Sequence, residues 1–217
     1  MTEQNFEAMR RAMVESQLRT TGVADPRVVA AMAAVPRERF VPDERRATAY
    51  VDRPVPLGHG RELNLPEATG KLLATARVET GDRVLLIGAA SGYTAAVLAM
   101  LTADVVALEE EPALIALARA ALAEAAGVRL VEGPLAAGWP GDAPYDLIII
   151  DGAVEQVPDA VVGQLVDGGR LVCGLVDDGV VRLALGRRAA HSFGVDLFAD
   201  CEAPLLPGFA RPKTFTF

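Results

Sequence analysis

Apolar side chains recur along this chain in two rhythms. Near the beginning, Phe6, Met9, Met13 and Leu18 fall at close to helical spacing with Arg and Glu between them, which predicts an amphipathic helix over about residues 2–21, ended by Gly22. Asp25 before Pro26 reads as an N-cap with proline at the first helical position, and RVVAAMAAV then forms a second short helix up to Pro36. Between Pro36 and Pro66 the rhythm is lost. Pro42, Pro54 and Pro56, with Gly58 and Gly60, predict a mostly irregular stretch that faces a substrate or joins two lobes.

After Pro66 short β-rich runs alternate with helical stretches. Strands are predicted at about 83–87, 105–108, 128–131, 146–150 and 170–175, with helices at about 67–76, 93–101, 112–125 and 159–165. Nearly continuous apolar runs separated by amphipathic helices specify an α/β fold, a doubly wound, mostly parallel sheet with helices on both faces. The runs at 180–185 and 192–198, and a tail carrying Pro204, Pro207 and Pro212, are expected to add an antiparallel edge. Residues 1–66 form a helical and irregular extension packed on a core of residues 67–217, together one structural unit.

Composition narrows the class. With 51% apolar and 23% charged residues the chain buries a full core, and 29 acidic against 21 basic side chains leave it at −8, which argues against nucleic acid as a partner. Cys173 and Cys201 have no metal-ligand spacing and no framework pattern, so free thiols and no metal are expected. The first residues, MTEQNFEAMRRAMVESQLR, are charged throughout, and no stretch approaches the roughly 20 apolar residues of a membrane span; a cytoplasmic protein without membrane partners is expected. Nothing in the pattern specifies an oligomeric state.

In such a sheet ligands bind beyond the carboxyl ends of the strands. The first strand of the core runs into Gly88, Ala89, Ala90, Ser91, Gly92 and Tyr93, and the second ends at Glu109 followed by Glu110. An acid about twenty residues beyond a small-residue loop is placed to accept hydrogen bonds from ribose hydroxyls. The loop lacks the G-x-G-x-x-G spacing that a pyrophosphate requires, so it points to an adenosyl methyl donor rather than a dinucleotide, and a nicotinamide oxidoreductase is disfavoured. Asp151 and Gly152 close the fourth strand and face the same place, the acid alternatively capping the next helix. His59 reads as a loop histidine and Trp139 as a residue packing a loop on the sheet.

Longer segments carry a resemblance. MVESQLRTTGVADPRVVAAMAAVPRERFVP, AYVDRPVPLGHG, GAASGYTAAVLA and VDGGRLV together resemble the protein-L-isoaspartate O-methyltransferases over most of residues 13–176. The resemblance implies a Rossmann-like class I methyltransferase fold, S-adenosyl-L-methionine as cofactor, and isoaspartyl carboxylates of damaged proteins or peptides as acceptors. It also exposes departures. The family's G-Q-T-I-S-x-P falls on Gly60 to Pro66, so its carboxylate-orienting serine is Asn64, and Arg61, Glu62 and Leu63 face the substrate, Glu62 repelling an anion unless Arg61 screens it. The family's V-L-E-I-G-T-G-S-G-Y falls on Val84 to Tyr93, with Leu86 in place of an acid and Ala90 in place of a glycine, at a cost of roughly 1–2 kcal/mol if the backbone there is left-handed. Its G-D-G falls on Gly133, Pro134 and Leu135, where proline gives adenine no acceptor. Two readings follow: a carboxyl methyltransferase of this kind, or a degenerate member with weak or no cofactor binding that serves as a protein- or ligand-binding module.

Overall fold

The computed structural model describes residues 5–190 and 192–211. Helix α1 (Phe6–Met13), capped by the Asn5 side chain, continues into a π-helical turn over Val14–Leu18, so the single helix expected to Thr21 is broken; its first residues lie outside the described ones. Ser16, Thr20 and Thr21 each donate a hydroxyl to the preceding turn's carbonyls, the back-bonding that loosens a helix end. Helix α2 (Pro26–Ala34) starts on the Asp25 cap as its sequence predicts.

Residues 36–66 are more ordered than their prolines and glycines imply. Two 3-10 turns, Arg37–Phe40 and Asp43–Thr48, precede a hairpin of β1 (Val55–Gly58) and β2 (Arg61–Leu63). His59 and Gly60 both have positive φ, the backbone of a tight hairpin turn. Strands of four and three residues around Pro54 and Pro56 are too short to show a period, which is why the hairpin escapes the sequence pattern.

Helix α3 (Pro66–Ala76) leads into the core: β3 (Arg83–Ile87), α4 (Tyr93–Ala99), β4 (Asp104–Glu109), α5 (Pro112–Ala121), β5 (Val128–Glu132), β6 (Tyr145–Val154), α6 (Asp159–Val162), β7 (Leu165–Asp177), β8 (Val180–Ala189) and β9 (Ser192–Asp200). They form one seven-stranded sheet in the order β5-β4-β3-β6-β7-β8-β9, parallel through β7 and antiparallel beyond it. Both faces are buried, as continuous apolar strands require. Val84 and Leu86 join α3, α4 and α5 on one face, while Leu85 and Ile87 meet Val161 of α6, Leu135 and Phe209 on the other. The helix expected over 159–165 stops at Val162, because β7 begins at Leu165 and takes its place.

The expected antiparallel edge is β8 and β9, and among the described residues the tail does not extend it. After β9 it crosses back to the carboxyl end of β6, where Ala153 donates to the Pro204 carbonyl at 2.7 Å and Leu206 donates to the Ala153 carbonyl at 2.9 Å, a parallel bridge. Ala153 also pairs with Gly174 of β7, so the tail occupies the opposite edge, facing β3. Pro212 lies outside the described residues. Among the described residues no helix is long and apolar enough to cross a membrane.

Gly152 lets the tail approach: a Cβ there would sit 2.7 Å from the Pro204 carbonyl oxygen and 2.8 Å from Leu206 Cγ. Gly152→Ala is expected to destabilise the fold by about 1–3 kcal/mol and push this strap off the strand ends. Urea unfolding with limited proteolysis near residues 203–209 checks both effects; unchanged stability and unchanged cleavage would contradict the packing.

Candidate active site

The carboxyl ends of β3, β4 and β6 converge on one buried polar crevice, closed in this structure by Arg61 of the β1–β2 hairpin and Leu206 of the strap. Its organising contact is an ion pair between residues 48 apart, Arg61 Nη1 to Glu109 Oε1 at 2.6 Å, with side chains 4% and 0% exposed. Glu109 also accepts from three backbone amides: Ala90 at 2.7 Å on Oε2, and Glu110 and Glu111 at 3.0 and 3.1 Å on Oε1. A carboxylate sealed from water is tolerated only when paired and hydrogen-bonded, and removing one partner of a buried pair typically costs about 3–5 kcal/mol.

A second polar cluster surrounds Asn64. Asn64 Nδ2 donates to Asp151 Oδ1 at 3.1 Å, and Asn64 Oδ1 accepts from the Leu65 amide at 3.1 Å, so the side chain serves both as a donor in the crevice and as a turn residue. Asp151 does not cap a helix, since Pro158 precedes α6. Burial pushes its pKa up from the ordinary carboxylate value, with the Asn64 hydrogen bond and the charges of Arg37 and Arg61 pulling the other way. Arg37 is fully buried: its Nε donates to the Ala49 carbonyl at 2.7 Å, its Nη2 to the Asn64 carbonyl at 2.5 Å, and its guanidinium lies 4.7 Å from the Tyr93 ring centroid. It thus fixes the backbone that carries Asn64. The VPRERFVP segment contains Arg37, but nothing in its spacing reveals that role.

The other predicted residues divide. Gly88 forms the floor of the crevice, where an added Cβ would meet Leu206 Cδ1 at 2.8 Å and Arg61 Nη2 at 3.4 Å. Ala90 has φ 49°, so alanine does carry the left-handed cost of roughly 1–2 kcal/mol. Its amide's hydrogen bond to a charged acceptor, worth about 1.5–3 kcal/mol, offsets that. Glu110 Oε2 accepts from the Leu135 amide at 3.1 Å, drawing Glu110, Pro134 and Leu135 together at the edge of the crevice.

Several positions lie elsewhere. Ala89 is buried in the loop, and Gly92 packs under Leu122. Ser91 donates to the Phe40 carbonyl at 2.5 Å, and Tyr93 stacks edge-on against Phe40 in the core. Leu86 belongs to the helix-covered core, so its apolar character takes nothing from the crevice. β2 alternates, which buries Arg61 and Leu63 and turns Glu62 to solvent, away from any bound anion. His59 is half exposed, 3.5 Å from Glu111. Trp139 packs on the second face of the sheet. Among the described residues no group of three or more His, Cys, Asp or Glu is placed to hold a metal, and both cysteines are free.

These residues fit an adenosyl group chemically: an acid at the end of β4 suits a ribose diol, and Gly88 presents a surface without Cβ. The Arg61 guanidinium and the Leu206 side chain fill the intervening place.

A sheet of this order, with a small-residue loop after β3 and an acid after β4, is that of a class I methyltransferase. A structure from Plasmodium falciparum, described as a protein-L-isoaspartate O-methyltransferase in complex with S-adenosyl-L-homocysteine, shares the fold with a TM-score of 0.78 at 18% identity, covering 91% of this chain and 97% of that one. A family model for protein-L-isoaspartate(D-aspartate) O-methyltransferase matches residues 8–193. Protein-L-isoaspartate O-methyltransferase 2 of Anaeromyxobacter sp. (strain Fw109-5) is 42% identical over 179 residues, 82% of this chain and 74% of its own. The protein-L-isoaspartate O-methyltransferase of Methylorubrum populi is 40% identical over 205 residues, 93% and 97% of the two chains. The chain belongs to this family.

The raised pKa of Asp151 has a stability consequence. The folded state holds this proton more tightly than the unfolded chain, so between the ordinary carboxylate pKa of about 4 and the higher folded value, stability falls as pH rises. Asp151→Asn keeps an oxygen for Asn64 and removes the charge. Urea midpoints from pH 4 to 8 are expected to lose that decline, leaving the variant at least as stable as the parent at neutral pH; a less stable variant at pH 7 would contradict the sign.

Proposed function

We propose that this chain transfers a methyl group from S-adenosyl-L-methionine to the carboxylate of isoaspartyl residues in damaged proteins and peptides. Family membership supports the reading, and one observation carries it: the crevice has a ribose-type acid, Glu109, at one end and a buried amide donor, Asn64, at the other. Glu109 would hold the ribose, with Gly88 beneath and Glu110, Pro134 and Leu135 bordering the base. When bound, the cofactor supplies a methyl group already activated by its positive sulfonium.

The chain's own residues have a modest task. A carboxylate with a pKa of about 4 is ionised near neutral pH and is the nucleophile as it stands, so no general base is required. What is required is alignment and exclusion of water. Asn64 donates to an acceptor oxygen, and Arg37 holds its backbone in place. Two free cysteines support the cytoplasm as the place of action. A second reading, a binding module without catalysis, is favoured by the Arg61–Glu109 pair, which occupies the ribose acid.

Transfer of labelled methyl from S-adenosyl-L-methionine to an isoaspartyl peptide, compared with its aspartyl counterpart, separates the readings. The isoaspartyl peptide alone is expected to be methylated, whereas no transfer at saturating donor and peptide would favour the binding module. Asn64→Ala is expected to lower kcat/KM by roughly 10–150-fold, the worth of a hydrogen bond to a charged group, while Asn64→Ser retains most activity. An undiminished alanine variant would remove Asn64 from the acceptor site.

A further inference from the structure

A carboxylate has about four acceptor sites, and Glu109 has filled three on Oε1 and one on Oε2. The three backbone donors are fixed by the loop after β3 and the start of α5. Arg61 is the one partner held by a side chain. For a ribose hydroxyl to reach Oε1, Arg61 has to leave. Its charge also opposes a sulfonium brought into the same crevice. A buried guanidinium cannot leave one carboxylate without finding another.

The proposed place of the acceptor's carboxylate, beside Asn64, offers such a partner. Arg61 precedes Asn64 by three residues, at the start of the strand that leads into it, and both side chains are buried. Resting on the proposed function, we infer that Arg61 is the receptor for the acceptor's carboxylate, stored on Glu109 until both ligands arrive. The acceptor draws the guanidinium away and pairs with it, while a ribose hydroxyl takes its place on Oε1 and Glu109 keeps its three backbone donors. Cofactor and acceptor then bind with positive, reciprocal coupling.

Calorimetric titration of the full chain with S-adenosyl-L-homocysteine, alone and with saturating isoaspartyl peptide, tests this. The peptide is expected to tighten the nucleoside's affinity by roughly tenfold or more, within the usual range for coupled sites. A peptide whose side-chain carboxylate is replaced by a carboxamide is expected to give no tightening, a control that leaves the protein unaltered. Arg61→Ala vacates the place and leaves Glu109 its three backbone donors. It is expected to bind the nucleoside more tightly than the parent without peptide and to show no coupling. Equal affinity with and without the isoaspartyl peptide, or coupling undiminished in Arg61→Ala, would overturn the inference while leaving methyl transfer intact. Failure of either protein to bind the nucleoside at all would remove the functional reading together with it.

Discussion

A carboxylate with no access to water, Glu109 at the end of β4, has to be compensated on every side, and that requirement organises the ligand end of the molecule. Ala90 adopts a left-handed backbone and points its amide at Oε2. The amides of Glu110 and Glu111 turn to Oε1 just before α5 begins, and Glu111 then caps that helix through Ala113. The hairpin supplies the remaining charge through Arg61. Loop, helix start and hairpin are therefore set by one buried anion.

The departures from the family pattern compensate one another in space. Asn64, where the resemblance places a serine, donates to Asp151, which lies 87 residues away in the chain. Arg61 answers Glu109 rather than Glu62, which the alternation of β2 turns to solvent. Proline at 134 removes an acceptor, yet the following amide, that of Leu135, is tied to Glu110. The result is a polar cluster whose carboxylates are paired, while Arg37 Nη1 and the hydroxyls of Tyr93 and Thr94 are buried without a partner among the described residues.

What the sequence shows well is whatever repeats locally. β3 spans Arg83–Ile87 as predicted because an apolar run between charged and small residues has one reading, and the Asp25–Pro26 cap places α2. The loop and its acid are legible from the order strand, small residues, helix, strand, acid. The hairpin is not, since four- and three-residue strands carry no period. Nor is the strap: Pro204 and Pro207 read as turn residues, and only the free edge of β6 beyond Ile150 gives the segment a place to pair. Arg37 and the Arg61–Glu109 pair depend on contacts between distant residues, to which spacing is blind.

The central claim is that an adenosyl group and Arg61 compete for Glu109. The most direct measurement is a crystal structure of this chain with S-adenosyl-L-homocysteine bound. The account predicts ribose hydroxyls on the Glu109 carboxylate and Arg61 Nη1 withdrawn beyond hydrogen-bonding distance, more than about 3.5 Å from it. An adenosyl group seated in the crevice with the 2.6 Å contact between Arg61 and Glu109 intact would contradict it.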